Sequence, residues 1–319
     1  MDFPEYISTK TSIKVIPVMG SQCAVTGTKI TTLILEYPRA IHAQLLTHRV
    51  FSKNSSSTRA VPIKAAIQQI RDNPAQPIWT TNQAGMQGNL LTDEDTIYKA
   101  EIAVDHLLQK SIEVVQYLGL KEEEGGLNIH KQNAGRYLET FQNIRVCLTS
   151  TEWDNWDWLR LDSEAQGEIE ELATLIKLAR DEMEYCVLEE GQWHVPFVIR
   201  KWEIDGSIHY FDPETKEEIT LEQAINISMS VCAQTSYRKA DGSLVKAEDM
   251  KSKLFTGRKV HASPSEHQAT PINCPIWDGM CSWPLGVTHM DRNFHLWSGN
   301  FKHWIQNRQL LSNHDKAKF

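Results

Sequence analysis

Two β-branched stretches near the N-terminus constrain the fold more than any other feature of the sequence. "SIKVIPVMG" and "KITTLILEYP" are short, rich in Val, Ile and Thr, and bounded by Gly and Pro. β-Branched residues favour extended backbone, and Gly and Pro end strands, so both stretches are predicted to be β-strands. The fold must therefore contain a sheet.

Helical periodicity dominates the middle of the chain. Between Thr96 and Leu118, apolar residues recur at the spacing of a helix, and Gly119 marks the predicted end. Six other stretches are predicted to be helical: "PRAIHAQLLTHR", "KQNAGRYLETFQNI", a segment starting near "TSTEWDNWDWLR", Ser163 to about Met183, "LEQAINISMSVCAQTSY" and "FKHWIQNRQLL". We therefore expect the α+β class, a mixed sheet with long packed helices, in one domain over residues 1–319.

Smaller signals predict local structure in the C-terminal half. "GSIHYFDPETKEEIT" has the composition of a hairpin. Thr220 followed by Gln223 predicts a capping box at the start of the next helix. From Ala262 to Arg292 the sequence is rich in Pro, Ser, Asn and Gly, which predicts a loop.

The net charge limits the partners that the protein can have. A charge of −8 at pH 7 opposes non-specific attraction to a nucleic-acid backbone or an anionic membrane. The stretch "MDFPEYISTKTS" lacks the basic start and apolar run of a secretory signal, and no stretch approaches a membrane span. We expect a cytoplasmic protein, in the host cytoplasm if it is viral, that binds neither nucleic acid nor membrane.

The cysteines and histidines form no compact metal-binding pattern. The six cysteines are scattered without a CxxC pair, as expected of reduced thiols in a cytosol. The best candidate for a metal site is a group of histidines and cysteines near the C-terminus, but their spacing fits no zinc motif. Its members are His289, His295, His303, Cys274 and Cys281. We expect no disulfide and no bound metal.

The stretch "THRVFSKNSSSTR", from Thr47 to Arg59, is almost entirely polar. It is predicted to begin in the C-terminal half of a helix and to continue as a loop. Its serines can present hydroxyl and backbone N–H groups to a phosphate, and Arg59 can grip the phosphate with a planar fork. A helix C-terminus followed by a solvated turn has the same composition, so composition leaves both interpretations open.

The order of residues in this stretch resembles the signature of the flavin-dependent thymidylate synthases, in which Arg-His-Arg is followed after seven residues by Ser. The residues that hold the family's places are Gln44, His48, Arg49, Ser52, Asn54, Ser57 and Arg59. Two positions depart from the family, because Thr47 replaces the first Arg and Ser55 replaces a Glu.

A second block, "NWDWLRLDSEAQGEI", resembles the family's Asn-Phe-x-x-Leu-Arg-x-x-x-x-Ala-Gln-x-Glu-Ile helix. The coinciding residues are Asn155, Leu159, Arg160, Ala165, Gln166, Glu168 and Ile169. Upstream, "GRYLETF" resembles the segment whose Arg reaches the nucleotide, which would make Arg136 a phosphate ligand.

A third block, "CAQTSYRKADG" followed by "HASPSEHQA", resembles the family's Ala-Arg-Val-Ser-Tyr and Gly-His-x-Ser-Pro-Phe-Glu-His segments. Its matching residues are Ser236, His261, Ser263, Pro264, Glu266 and His267. In ordinary members these segments precede the Arg-His-Arg signature, whereas here they follow it. The resemblance implies a circular permutation, which a fold tolerates when its original termini lie close together at the surface.

The resemblance implies flavin chemistry on a pyrimidine deoxynucleotide monophosphate, most simply the conversion of dUMP to dTMP. Arg160 would be catalytic, because a fixed guanidinium stabilises negative charge that develops on the uracil ring. The implied nucleotide ligands are Gln44, Ser55, Ser57, Arg59, Arg136 and Arg160. The implied FAD ligands are His48, Arg49, Asn54, Asn155, Ser236, His261, Ser263 and Glu266.

The resemblance also implies co-substrates and an assembly. Methylenetetrahydrofolate would supply the carbon and NADPH would reduce FAD, in a homotetramer with active sites at subunit interfaces. Trp156 or Trp158 could flank a pocket, although aromatic residues at helical spacing are usually core.

Three questions stay open at the level of sequence. The departures at Thr47 and Ser55 fall where the family grips cofactor or nucleotide, so water in place of hydride could finish the reaction and yield a 5-hydroxymethyl pyrimidine. The base could be uracil or cytosine. A non-catalytic nucleotide- or flavin-binding relative is a further alternative, although retention of Arg59, Arg160 and Glu266 counts against it, since buried charges are costly unless paired.

Overall fold

A computed structural model describes residues 3–84, 88–235, 245–255, 261–274, 276–279 and 282–311. Its central sheet contains β1 (Tyr6–Ile7), β2 (Lys14–Cys23), β3 (Lys29–Pro38), β4 (Ser52–Ser55), β5 (Asn143–Ser150) and β6 (Tyr185–Leu188). The strands lie in the order β1-β2-β3-β5-β4 with antiparallel neighbours, and β6 pairs with β2 in parallel. β4 is therefore an edge strand.

The two strands predicted at the N-terminus are confirmed as β2 and β3. Gly27 lies in the turn between them with a φ of 70°, a left-handed conformation that glycine adopts without steric cost. The register shifts between Pro17 and Met19, where proline has no N–H to donate to the ladder.

The helices surround this sheet. They are α1 (His42–Leu46), α2 (Ile63–Asp72), α3 (Glu94–Gly119), α4 (Lys131–Ala134), α5 (Asp154–Arg160), α6 (Gly167–Asp181), α7 (Leu221–Ala233) and α8 (Ala247–Phe255). The helix predicted from Thr96 to Leu118 is confirmed as α3, and it begins where the Asp93 side chain accepts a hydrogen bond from the Thr96 amide. The helix predicted from Ser163 is confirmed as α6, with a later start.

The central sheet has two apolar faces, which we call the α6 face and the α7 face. The α6-face core includes Val15, Leu33, Leu35, Val146 and Leu148 of the sheet, with Ile169, Leu172, Ala173 and Ile176 of α6. The α7-face core includes Ile16, Val18, Ile34 and Cys147 of the sheet, with Cys232 of α7. Successive strand residues point to opposite faces. In β4, Lys53 pairs with Leu148 on the α6 face and Asn54 pairs with Cys147 on the α7 face.

The C-terminal half forms smaller sheets. Their strands are β7 (Ile199–Trp202), β8 (Ile208–Phe211), β9 (Glu218–Ile219), β10 (Ala269–Pro271), β11 (His289–Met290), β12 (Leu296–Ser298), β13 (Phe301–Lys302) and β14 (Trp304–Gln306). The predicted hairpin is confirmed, because β8 pairs with β9. The predicted capping box is also confirmed: Thr220 Oγ1 accepts from the Gln223 amide at 3.2 Å, and Gln223 Oε1 accepts from the Thr220 amide at 2.8 Å.

The helix predicted for "KQNAGRYLETFQNI" is largely wrong. Only α4 is an α-helix, Gly135–Phe141 is a 3₁₀ helix, and β5 begins at Asn143. β5 is buried at every residue from Val146 to Ser150, which is the pattern of a strand covered on both faces of its sheet.

The helix predicted for "FKHWIQNRQLL" is wrong. Its residues form β13 and β14, followed by a 3₁₀ helix over Asn307–Leu310. His303 separates the two strands with a φ of 63°, which redirects the chain so that β14 pairs with β10.

Three other boundaries differ from prediction. The polar stretch contains β4 in place of a continuous loop, and the helix before it ends at Leu46. The helix expected near "TSTEWDNWDWLR" begins only at Asp154, because Thr149 and Ser150 belong to β5. The loop expected from Ala262 contains a 3₁₀ helix, β10 and β11.

The mixture of helices and sheets is confirmed, whereas the circular permutation and the single domain stay predictions. Five cysteines are free thiols: Cys23, Cys147, Cys186, Cys232 and Cys274. Cys281 lies outside the described residues. None of the helices in the described part of the chain has the length and apolar character that crossing a bilayer requires.

Candidate functional site

Arg160, at the C-terminal end of α5, contacts only neutral groups of α1 and the turn after it. Its Nε donates to His48 Nε2 at 3.1 Å, and its Nη1 donates to Gln44 Oε1 at 3.4 Å. Its Nη2 donates to the Gln44 carbonyl at 3.4 Å and to Thr47 Oγ1 at 3.3 Å. No carboxylate of the described residues lies within ion-pairing distance. The guanidinium is therefore oriented but not neutralised, and burial lowers its pKa.

Gln44 is held in place from its other side. Its Nε2 donates to Gln166 Oε1 at 2.6 Å, and Gln166 Nε2 donates to Glu168 Oε2 at 2.9 Å. Glu168 lies in the first turn of α6, where the helix dipole favours a carboxylate, and it also accepts from the Ile78 amide at 2.9 Å. This chain of hydrogen bonds turns the Gln44 oxygen towards Arg160.

His48 is buried and neutral at physiological pH. Burial, followed by the charges of Arg160 and Lys53, lowers its pKa to about 4, although a hydrogen bond with Asn155 opposes this. Because Nε2 accepts from Arg160, the proton of the neutral ring lies on Nδ1. The ring meets Trp156 edge-on with centroids 4.9 Å apart. His48 thus acts as an acceptor that positions Arg160.

Two further cations act on His42 or His48, and the sequence analysis missed both. Lys53 Nζ donates to the His48 carbonyl at 2.8 Å, and burial lowers the pKa of Lys53, opposed by Glu266. Arg39 is half-buried, and its Nε is buried without a hydrogen-bond partner. Both charges, after burial itself, lower the pKa of His42 to about 4. We call Arg39, Lys53 and Arg160 the cation cluster.

The cation cluster has few counter-charges. None of its members has a carboxylate within ion-pairing distance among the described residues, although Glu139 acts electrostatically on Arg39 and Glu266 acts on Lys53. Half-buried cations that lack a paired carboxylate attract an anionic ligand, and phosphate is the small anion that Arg and Lys hold best.

The other predicted nucleotide ligands lie at the end of β4 or after it in the chain. Ser55 is the last residue of β4 and is half-buried, as is Ser57. Arg59 and Arg136 are exposed. Arg136 Nε donates to the carbonyl of Gln132 at 3.1 Å, within its own helical segment.

The predicted cofactor ligands divide between the two faces of the sheet. His48 and Asn155 are on the α6 face, whereas Asn54 points to the α7 face. Asn54 Nδ2 donates to the Cys232 carbonyl at 3.4 Å, and Asn54 Oδ1 is buried without a partner. A single ligand could reach residues on both faces only by passing around β4, because β4 is the edge strand and is open on one side.

The remaining predicted cofactor ligands are more exposed. Arg49, His261 and Ser263 are exposed, and Glu266 forms an ion pair with Arg308. Ser236 lies outside the described residues.

The two tryptophans proposed to flank a pocket differ in position. Trp156 is almost fully buried in the α6-face core, whereas Trp158 is 77% exposed. Of these two tryptophans, only Trp156 is in contact with the residues around Arg160, which we call the arginine site, through its edge-on contact with His48.

A cavity of about 500 Å³ adjoins the start of α6 beside Gln166. Glu168, Glu170 and Glu171 line it, with Lys10 as the only cation among its lining residues. Three carboxylates repel an anion, so this cavity does not suit a phosphate.

A comparison with known protein families shows which family this chain belongs to. The model of the thymidylate synthase complementing protein family matches residues 15–183, which is more than half of the chain. The chain belongs to this family. The match confirms the resemblance found in the sequence and spans the cation cluster, whereas the third block, with His261, Ser263 and Glu266, lies outside it.

More distant likenesses are found among solved structures. The UMP/dUMP methylase PolB from Streptomyces cacaoi bound with 5-Br UMP is 16% identical, with a TM-score of 0.43 over 56% of this chain and 92% of that chain. The same protein bound with 5-Br dUMP is 15% identical, with a TM-score of 0.41 over 53% and 90%. Likenesses this distant carry no argument here. No curated protein matches the sequence.

Proposed function

We propose that the protein transfers a one-carbon unit from methylenetetrahydrofolate to C5 of a pyrimidine deoxynucleotide monophosphate, most simply dUMP to dTMP. The observation that carries the proposal is Arg160, an oriented guanidinium whose hydrogen-bond partners among the described residues are all neutral, in a chain of the thymidylate synthase complementing protein family.

Arg160 is the catalytic residue of this proposal. Attack from C5 of uracil places negative charge on the ring, and a pre-oriented guanidinium stabilises that charge without reorganising. Gln44 and His48 keep the guanidinium in place, and His48 adds no positive charge because it is neutral above a pH of about 4. Lys53 and Arg39 supply positive charge for the 5′-phosphate.

FAD fits the donor set around β4. Asn54 has a buried Oδ1 without a partner that can accept from a ligand N–H or hydroxyl, and Arg49 is an exposed cation suited to a pyrophosphate. Arg49, His261 and Ser263 are exposed and therefore accessible to a ligand. FAD, reduced by NADPH, would supply the hydride that completes the methyl group.

The exposed arginines support active sites shared between subunits of a homotetramer. Arg59 and Arg136 point to solvent in one chain, so they are accessible to the nucleotide of a neighbouring subunit. Mixing two inactive variants, Arg160→Gln and Arg136→Gln, tests this arrangement. Recovered activity in the mixed oligomer supports shared sites, whereas an inactive mixture or a monomer in solution contradicts them.

One observation favours a second product. Thr47, which stands where the family has its first Arg, accepts a hydrogen bond from Arg160 at 3.3 Å. A hydroxyl in place of a cation allows a water molecule to approach this part of the site. Water as the final nucleophile would yield the 5-hydroxymethyl nucleotide.

The first experiment is a spectrum followed by product analysis. The purified protein is examined for flavin absorbance, incubated with methylenetetrahydrofolate, NADPH and either dUMP or dCMP, and the product is identified by mass. A yellow protein that makes a methyl or hydroxymethyl nucleotide supports the proposal and identifies the branch. A protein that takes up no FAD and converts neither nucleotide refutes it.

Arg160→Gln tests the residue assignment, with Arg71→Gln on α2 as a control that removes an exposed arginine far along the chain from the site. Loss of charge-assisted hydrogen bonds to the substrate should weaken dUMP binding roughly 10- to 150-fold, equivalent to about 1.5–3 kcal/mol. FAD absorbance should be unaffected. Equal turnover by both variants would show that Arg160 has no catalytic role.

A further inference from the structure

A second cluster of reactive side chains lies on the α7 face of the sheet, away from Arg160. Cys147 is on β5, Cys232 is on α7, and His267 precedes β10. The two Sγ atoms are 3.9 Å apart, and Cys147 Sγ is 3.8 Å from His267 Nδ1. One ligand atom from each residue lies within 4.8 Å of the others.

These distances suit a shared metal ion. Bonds of about 2.3 Å from Zn²⁺ to sulfur and about 2.0–2.1 Å to nitrogen, in a tetrahedral arrangement, separate the ligand atoms by roughly 3.5–3.8 Å. The observed separations of 3.9 and 3.8 Å differ from these values by only a few tenths of an ångström. The third ligand atom lies within 4.8 Å of the other two, which an ordinary thiol hydrogen bond would not require.

The cluster is fully buried, and it contains polar atoms without partners. Cys147, Cys232 and His267 each have no exposed surface. His267 Nδ1 contacts Thr149 Oγ1 at 2.8 Å, whereas His267 Nε2 has no partner. The neighbouring Gln268 is also fully buried, and its Oε1 has no partner.

The charges of the cluster are better balanced with a cation than without one. Two thiolates, a neutral imidazole and one divalent cation carry no net charge, which removes the cost of burying an ion pair.

We propose that Cys147, Cys232 and His267 bind a divalent cation of the zinc class in a closed structural site. Gln268, whose Nε2 lies 3.8 Å from Cys232 Sγ, offers its partnerless Oε1 as the fourth ligand. Soft thiolate and imidazole ligands in a small tetrahedral set select zinc over magnesium or calcium.

The site would attach the C-terminal third of the chain to the central sheet. Its ligands come from β5, from α7 and from the segment that ends the third block. Asn54 donates to the Cys232 carbonyl, so a metal on Cys232 would also fix the edge strand that carries Lys53. The role is one of positioning, since no ligand touches Arg160.

The test uses the full chain, purified under reducing conditions without chelator. Elemental analysis should find about one zinc per chain. After removal of the metal, added Co²⁺ should give the visible bands of a tetrahedral site together with a thiolate-to-cobalt charge-transfer band. A protein that is metal-free and gives neither band overturns the proposal, as does peptide mapping that finds a Cys147–Cys232 disulfide in the protein as isolated.

Matched cysteine variants assign the ligands. Cys232→Ser should weaken Co²⁺ binding by more than about 100-fold, since loss of a ligand exceeds the effect of losing an outer contact. Cys23→Ser, which changes an equally buried cysteine in a different apolar cluster, should bind Co²⁺ as the unmodified chain does. Equal binding by both variants overturns the assignment. If Cys232→Ser does not fold, the Co²⁺ spectrum of the unmodified chain decides.

Discussion

Replacing Arg160 should change the acid–base behaviour of His48. The structure places Arg160 Nε 3.1 Å from His48 Nε2, so the guanidinium both repels a proton on the ring and occupies the nitrogen that would accept it. In Arg160→Gln the positive charge is gone and Nε2 is open to protonation. The pKa of His48 should therefore rise from about 4 towards its usual value of 6.5.

The size of the change follows from the three influences that lower this pKa. Burial is the largest, Arg160 is second and Lys53 is third, and together they lower the pKa from 6.5 to about 4. Loss of the second influence should raise the pKa by about one pH unit, which corresponds to about 1.4 kcal/mol. The pKa should stay below 6.5, because burial and Lys53 remain.

Histidine ring resonances followed by NMR across the acid range measure this value, with His48→Gln to assign the signal. Arg49→Gln is the matched control, because Arg49 adjoins His48 in sequence but is exposed and does not contribute to its pKa. A His48 pKa that is unchanged in Arg160→Gln, or that moves equally in both variants, would refute the electrostatic role given to Arg160.

Three further predictions concern stability. Trp156→Ala should cost about 3–5 kcal/mol of unfolding free energy because the side chain is buried, whereas Trp158→Ala should change it by less than about 0.5 kcal/mol; urea unfolding that gives equal losses would contradict this core assignment. Thr220→Ala should lose about 1 kcal/mol through its capping box, and an unchanged urea midpoint would show that the cap is dispensable. Burial lowers the pKa of His42 and His303 to about 4. Their neutral forms therefore stabilise the fold above pH 6.5, and this contribution to the free energy of unfolding is lost as the pH falls towards 4. Urea midpoints that stay constant between pH 6.5 and 4 would contradict this prediction.

Local pattern predicted the elements whose periodicity is unambiguous. β2 and β3 have dense β-branched runs, and α3 and α6 keep their apolar spacing over several turns. The failures are strands whose pairing partners are distant in sequence. Phe301, Trp304 and Ile305 fit the spacing of a helix, but β14 is stabilised by pairing with β10, which no local window contains.

The arginine site could be predicted only in part for a related reason. Gln44, His48 and Arg160, which come from two separate blocks of the resemblance, lie together in the structure, whereas the ligand roles given to them stay predictions. Lys53 looked like one charge in a polar loop, because its position on an edge strand depends on pairing with β5, which the sequence analysis did not predict as a strand. Cys147 and His267 are 120 residues apart, so nothing in their spacing indicated a cluster.

The departure at Thr47 can be understood from the charges around Arg160. An arginine at this position would bring a second guanidinium to a group that Thr47 Oγ1 now contacts at 3.3 Å. Threonine removes that charge and supplies an acceptor, while Lys53, bonded to the His48 carbonyl at 2.8 Å, keeps a cation beside the same turn. Under the proposed function, the site therefore keeps positive charge for the phosphate of the nucleotide. At the position of the family's first Arg it has the hydroxyl of Thr47. On this argument the substitution alters which group or solvent molecule approaches the base, and nucleotide binding itself should survive it.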